Sequence, residues 1–113
     1  MPTRKQRGYD TERLVAAQWQ ADGWPHAEVV RGQGRDLTGT PGVAVEVKAR
    51  RGFAPLEWMR QAARNGDGDL PVVIVRPDGA GPATVDDWPA VLPHHVLRRL
   101  LRLAGYGTEV THG

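Results

Sequence analysis

The chain contains no cysteine, which excludes disulfide bridges, thiol nucleophiles and zinc–thiolate centres and fits a reducing compartment. No apolar run approaches a membrane span, and the opening Met1-Pro2-Thr3-Arg4-Lys5 has no hydrophobic segment behind it. A soluble, cytoplasmic protein without membrane contact is therefore expected. There is also no Gly-Lys-Ser/Thr phosphate loop, no nucleophile elbow and no His-Glu-x-x-His helix. Gly32-Gln33-Gly34 is too short and badly placed for a dinucleotide fingerprint and reads as a bend, so no nucleotide cofactor is expected. His94 and His95 are neighbours on a predicted helix, where adjacent side chains diverge by about 100° and cannot chelate one ion together. Repeats and linkers are absent, because the 14 glycines and 9 prolines fall between periodic segments. The chain reads as a single domain over 1–113, with a basic segment at 1–8 and a short tail at 105–113.

The positive charge comes mainly from arginine. The net charge is only +2, yet the isoelectric point is about 9.5, so any nucleic-acid footprint must be a local stripe. Arg4, Lys5, Arg7, Arg31, Arg35, Arg50, Arg51, Arg60 and Arg64 bracket one acidic motif. Guanidinium groups match phosphate geometry better than ammonium groups do.

That motif is Asp36 followed ten positions later by Glu46-Val47-Lys48, at the end of the apolar run Gly42-Val43-Ala44-Val45. Strand alternation puts Val43, Val45 and Val47 on a core face and Ala44, Glu46 and Lys48 on the other. Gly39-Thr40-Pro41-Gly42 supplies turn chemistry, and a hairpin there folds Asp36 back opposite Glu46. Direct cross-strand neighbours have Cβ atoms roughly 4.5 to 5.5 Å apart, so two carboxylates converge with the lysine one pleat further along. Like charges so placed call for compensation, and a hard divalent cation, Mg²⁺ where phosphate is the substrate, supplies it. The competing interpretation is an edge hairpin whose Glu-Lys alternation is only its solvated face.

Around the motif, a first helix is predicted from Asp10 or Thr11 to about Asp22, with Glu12 on the apolar face beside Val15, Ala16 and Trp19. A favourable helix-dipole contact explains that glutamate's charge but not its facing. Ala27 to Arg31 reads as a strand. A second helix over Pro55 to Asn65 is expected to bury Leu56, Met59 and Ala63 and to turn Arg60, Gln61 and Arg64 outward. Leu70 to Val75 reads as a central strand, reached by a crossover and hence parallel to the Glu46 strand. Asp86-Asp87 reads as a turn, Trp88 to Leu92 as a last strand and Pro93 to Ala104 as an amphipathic helix with arginines opposite its leucines. Trp19 and Trp88 are expected in the core, and Trp58 is either core or a stacking platform. The class is α/β, with a central mixed sheet of about four to five strands flanked by helices.

A helix bearing Glu12, a strand bearing Asp36, a hairpin to Glu46-x-Lys48, then a helix and a central strand resemble the PD-(D/E)xK nuclease core over roughly residues 4 to 104. The compact form is similar to archaeal and phage Holliday junction resolvases, which also carry a basic stretch and glycine like Arg7-Gly8 and a pair like Glu12-Arg13. Two features depart from the pattern: Arg35 stands where the family name has proline, and the preceding loop lacks a serine. The resemblance implies a restriction-endonuclease-like fold. It also implies Asp36, Glu46 and the Val47 backbone carbonyl as Mg²⁺ ligands (Mn²⁺ substituting), Lys48 orienting or activating the attacking water and offsetting charge, and Glu12 completing or supporting the metal site. Gln61 matches a glutamine of the second helix, and the implied DNA contacts are Arg4, Lys5, Arg7, Arg13, Arg35, Arg50, Arg51, Arg60, Gln61 and Arg64. The implied activity is a homodimeric, Mg²⁺-dependent endodeoxyribonuclease that resolves four-way junctions, encoded by a phage and acting in a bacterial cytoplasm. The alternatives are a nuclease for other branched, flapped or linear DNA, and a non-catalytic DNA-binding module that kept the fold.

Overall fold

The computed structural model describes residues 3–32, 34–49 and 52–107. Helix α1 (Arg4–Ala21) begins upstream of the expected Asp10 or Thr11, because Thr3 supplies the cap, its hydroxyl accepting from Gln6 N at 3.0 Å. Arg4, Lys5, Gln6 and Arg7 are good helix formers and extend the first turn. Thr11 is consequently no cap but an interior residue with 0 % exposure.

Two short strands follow, β1 (Glu28–Val29) and β2 (Leu37–Thr38), paired antiparallel with Val29 opposite Leu37. Strand β3 (Val43–Lys48) then runs parallel to β4 (Leu70–Val75), in register from Val43↔Leu70 to Lys48↔Val75. Helix α2 (Pro55–Gly66) makes the crossover between them. Past a short 3-10 helix over Pro82–Asp87, which holds Asp86 and Asp87, β5 (Ala90–Val91) pairs antiparallel with β4. Helix α3 (His94–Leu103) closes the described chain.

The fold is α/β with a mixed sheet, but the five strands among the described residues form two sheets, β1–β2 and β3–β4–β5, rather than one. The break has a local cause. Asp36 N donates to Val45 O at 3.3 Å, as a hairpin rung should, yet the next rung is made by a side chain: Val47 N donates to Asp36 Oδ2 at 2.8 Å. A carboxylate has replaced a main-chain carbonyl, and the β2–β3 ladder stops at the charged motif.

Alternation along β3 and β4 sorts the core into two layers. Val45 and Val47 pack with Val15 and Ala16 of α1, Leu37 and Trp88, while Val73 and Val75 pack with Trp58 and Ala62 of α2. Trp19 packs against the first layer. The α2 stripe is thus Trp58, Ala62 and Gly66 with Met59 packed beside it, and Leu56 and Ala63 are not part of it. Leu56 is 57 % exposed and Ala63 is exposed, with Met59 half-buried. Gly66 fixes this phase, since a Cβ there would lie 2.5 Å from Ala44 Cβ, so helix and strand approach closely. Trp58 is 4 % exposed and serves as core.

Helix α3 forms where the pattern places it but buries none of its residues, and Leu97, Leu100 and Leu101 remain 41 to 46 % exposed. Among the described residues no helix is long and apolar enough to cross a membrane.

Candidate active site

The parallel strands β3 and β4 end side by side at Lys48 and Val75, and open α/β sheets bind ligands beyond such carboxyl ends. A cleft of about 910 Å³ lies there, lined by Glu12, Asp36, Glu46, Val47, Lys48 and Gln61 together with Arg76. The four expected chemical residues, separated by up to 36 positions in sequence, therefore reach one cavity.

Glu46 and Lys48 are only 4 % and 5 % exposed. They are not the solvated face of an edge hairpin. Both lie on the α2 side of β3, and Lys48 Nζ sits 3.3 Å from Glu46 Oε2 while donating to Gln61 Oε1 at 2.6 Å. Gln61 was expected to face outward but is half-buried, turned inward by the same helical phase that buries Trp58 and Ala62. Desolvating an ion pair weakens or cancels its contribution to stability, so this pair is weak evidence for a purely structural role.

Asp36 reaches the same end of β3 along the strand edge. Burial raises its pKa, opposed by the Val47 N–H that it accepts and by the Lys48 charge. Glu12 comes from α1, and burial, then the Asp36 and Glu46 charges, push its carboxyl from an ordinary 4.5 to about 7. That shift marks a region of negative potential shared by three carboxylates.

Among the described residues, no three His, Cys, Asp or Glu side chains form a group that could hold a metal ion. The carboxylates of Glu12, Asp36 and Glu46, which line the cleft, offer hard oxygens. The main-chain polar groups of Val43, Val45 and Val47 face the Asp36 edge, since Val43 O and Val45 O accept there and Val47 N donates there. Gly42 O and Lys48 O accept instead from Leu70 N and Arg76 N on the β4 side. Strand geometry turns the Val47 carbonyl the same way as its N–H, toward Asp36. Two carboxylates and a carbonyl fit Mg²⁺, which keeps several waters and is usually bound through one or two carboxylates.

The expected DNA contacts separate into groups. Arg7 lines the main cleft. Lys5 and Arg13 line an adjoining groove of about 680 Å³ that shares Glu12 and Asp36 with it. In that groove Tyr9 lies under the guanidinium carbons of Arg31, at 4.5 Å, and Arg13, at 5.8 Å. Arg60 is exposed on α2, and Arg64 is exposed and 3.3 Å from Glu57. Arg4 opens α1, while Arg50 and Arg51 lie outside the described residues.

Arg35 has partners within the fold. Its guanidinium lies 2.9 Å from Asp69 Oδ2 and donates to Gly66 O at 2.8 Å and Val43 O at 3.3 Å, tying β3 to the end of α2. A structural tether thus occupies the position where the motif has proline. Arg76 also lines the cleft, and its only sequence signal is its place as the first charge after the central apolar strand.

No family model, curated protein or solved structure matches the chain.

Proposed function

We propose that this cleft is the active site of a Mg²⁺-dependent endodeoxyribonuclease, built on a restriction-endonuclease-like core of the PD-(D/E)xK type. The supporting observation is the buried Lys48–Glu46 pair at the end of β3, with Asp36 fixed on the adjacent Val47 N–H. A fold seeking only stability has no use for a buried lysine and converging carboxylates at an open strand end.

Hydrolysis of a phosphodiester requires water to attack phosphorus in line with the departing oxygen while negative charge grows on the non-bridging oxygens. Asp36, Glu46 and the Val47 carbonyl would hold the metal, which when bound supplies Lewis-acid stabilisation and a more acidic water. Lys48 positions the attacking water, and Gln61 and Glu46 hold its ammonium in place. Glu12, half-buried in the same cleft, supports the site.

The substrate proposed is branched DNA, foremost the four-way junction. Resolving one needs two symmetric cuts and hence two copies of the chain, arranged as a homodimer. A cysteine-free chain suits a cytoplasmic setting.

The test is a panel of labelled four-way junctions, flaps, duplexes and single strands, incubated with and without Mg²⁺ while binding is measured in parallel. Metal-dependent cutting of junctions above all other substrates is the expected result. Cutting of flaps or duplexes instead moves the substrate, and binding without cutting of any DNA removes the enzyme.

A further inference from the structure

Arg76 stands directly after β4, and its main-chain N–H donates to Lys48 O at 2.7 Å, which fixes it beside the end of β3. Its guanidinium is held on several sides. Nη1 donates to Thr11 Oγ1 at 2.8 Å, Nε donates to Ala80 O at 2.9 Å, and the Trp88 ring lies 5.2 Å from Cζ. Each support is itself anchored. The Thr11 hydroxyl is fully buried and donates onward to Arg7 O at 2.9 Å, and Trp88 is 7 % exposed with its indole N–H on Thr84 Oγ1 at 3.0 Å.

All these supports are neutral. Among the described residues no carboxylate lies within ion-pair distance of Arg76, although Glu12, Asp36, Glu46 and Asp78 line the same cleft. A half-buried guanidinium normally has its charge matched by a carboxylate. Here two N–H groups are used to lock the plane, and the other three of the five remain for a ligand. A planar fork so locked is pre-organised for the paired oxygens of a phosphate, with little rotamer freedom left to lose on binding.

We propose that Arg76 is an anion subsite of the cleft, taking a non-bridging oxygen pair of the phosphodiester at or next to the bond that is cut. The proposal deepens the phosphodiester-hydrolase reading and rests on it. Thr11 and Trp88 are its positioning residues.

Two probes test this with Arg76→Gln and Arg76→Lys. The first is pyrophosphate, titrated against thermal unfolding. The second is a labelled four-way junction bound in Ca²⁺, in which single linkages are replaced in turn by uncharged methylphosphonate. Pyrophosphate should stabilise the wild type and leave Arg76→Gln unmoved. Junction affinity should fall by about tenfold or more in Arg76→Gln, the scale of a lost charge-assisted fork. The linkage whose neutralisation weakens wild-type binding should become indifferent in that variant. Arg76→Lys, which keeps the charge without the fork, should lie between, and it carries the test if the glutamine variant does not fold. A purely structural brace would lower the melting temperature and leave the linkage penalties where they were, which overturns the proposal. So does a wild type that binds neither probe. Arg76-dependent binding of pyrophosphate by a protein that cuts no DNA supports the subsite and removes the hydrolase reading instead.

Discussion

Glu12→Gln separates what this cleft does for stability from what it does for chemistry. In the folded protein the Glu12 carboxyl titrates at about 7 instead of 4.5, through burial and the Asp36 and Glu46 charges. Holding it ionised carries a penalty of about 3 kcal/mol before screening, at about 1.4 kcal/mol for each tenfold change in proton affinity. Its partial exposure reduces that to about 1–2 kcal/mol. The sign follows from proton linkage. Between 4.5 and about 7 the native state binds more protons than the unfolded chain, so stability falls as pH rises through this window. Below the window the carboxyl is protonated in both states and the penalty is absent; above it the whole penalty applies. Glutamine resembles the protonated acid at every pH. The variant should therefore match the wild type in acid below the window and exceed it by about 1–2 kcal/mol on the alkaline side, raising the melting temperature by about 4–8 °C. Thermal or urea unfolding across that range is the assay. A difference between the two proteins that does not change with pH, or one that favours the wild type in alkali, refutes the account of Glu12 as one of three mutually repelling carboxylates. Activity should move the opposite way, because the same charge serves the proposed site.

Further substitutions test the assignments around the cleft. Arg35→Ala should lose about 1–2 kcal/mol, because it removes donors from Gly66 O and Val43 O and the partly exposed pair with Asp69, while DNA affinity stays at the wild-type level. A melt and a binding isotherm on the same sample decide it, and a large fall in affinity with unchanged stability would return Arg35 to the DNA surface. Gly66→Ala should destabilise by about 1–3 kcal/mol, since its Cβ would press on Ala44 where α2 meets β3. Gly8→Ala, in open space on α1, should instead gain about 0.5–1 kcal/mol. Denaturant midpoints measured side by side separate the two glycines.

The parts of this protein legible in its sequence are those governed by short-range pattern. The alternation from Val43 to Lys48 and the continuous apolar run from Leu70 to Val75 each point to one strand, and both strands form there. The parallel pairing follows from the helix between them. The charged motif was readable for the same reason: Glu46 and Lys48 must share a face if the segment is a strand, and they do, 3.3 Å apart. What stayed hidden depends on contacts between distant segments. The phase of α2 is set by the approach of Gly66 to Ala44, so a helical wheel alone selected Leu56 and Ala63 in place of Trp58 and Ala62. The division of the sheet depends on whether the Asp36 carboxylate or a carbonyl meets Val47 N, which no propensity encodes. Thr11 looked like a cap because its partner, Arg76, lies across the fold. The leucines of α3 have the period of a buried helix, and nothing in that period says that the rest of the chain leaves them exposed.

The central claim is that Asp36, Glu46 and Lys48 form a hydrolytic centre, and a single-turnover cleavage of a labelled four-way junction in Mg²⁺ tests it most directly. Wild type and Glu46→Gln are compared at protein concentrations that saturate binding of both. Glutamine retains the shape of Glu46 but removes the charge that faces Lys48 Nζ and that the metal would require. The account predicts wild-type cutting that depends on Mg²⁺, and a rate for Glu46→Gln lower by at least about 10²-fold with junction affinity largely retained. Cutting by Glu46→Gln at the wild-type rate, or by either protein at an equal rate without metal, would contradict it.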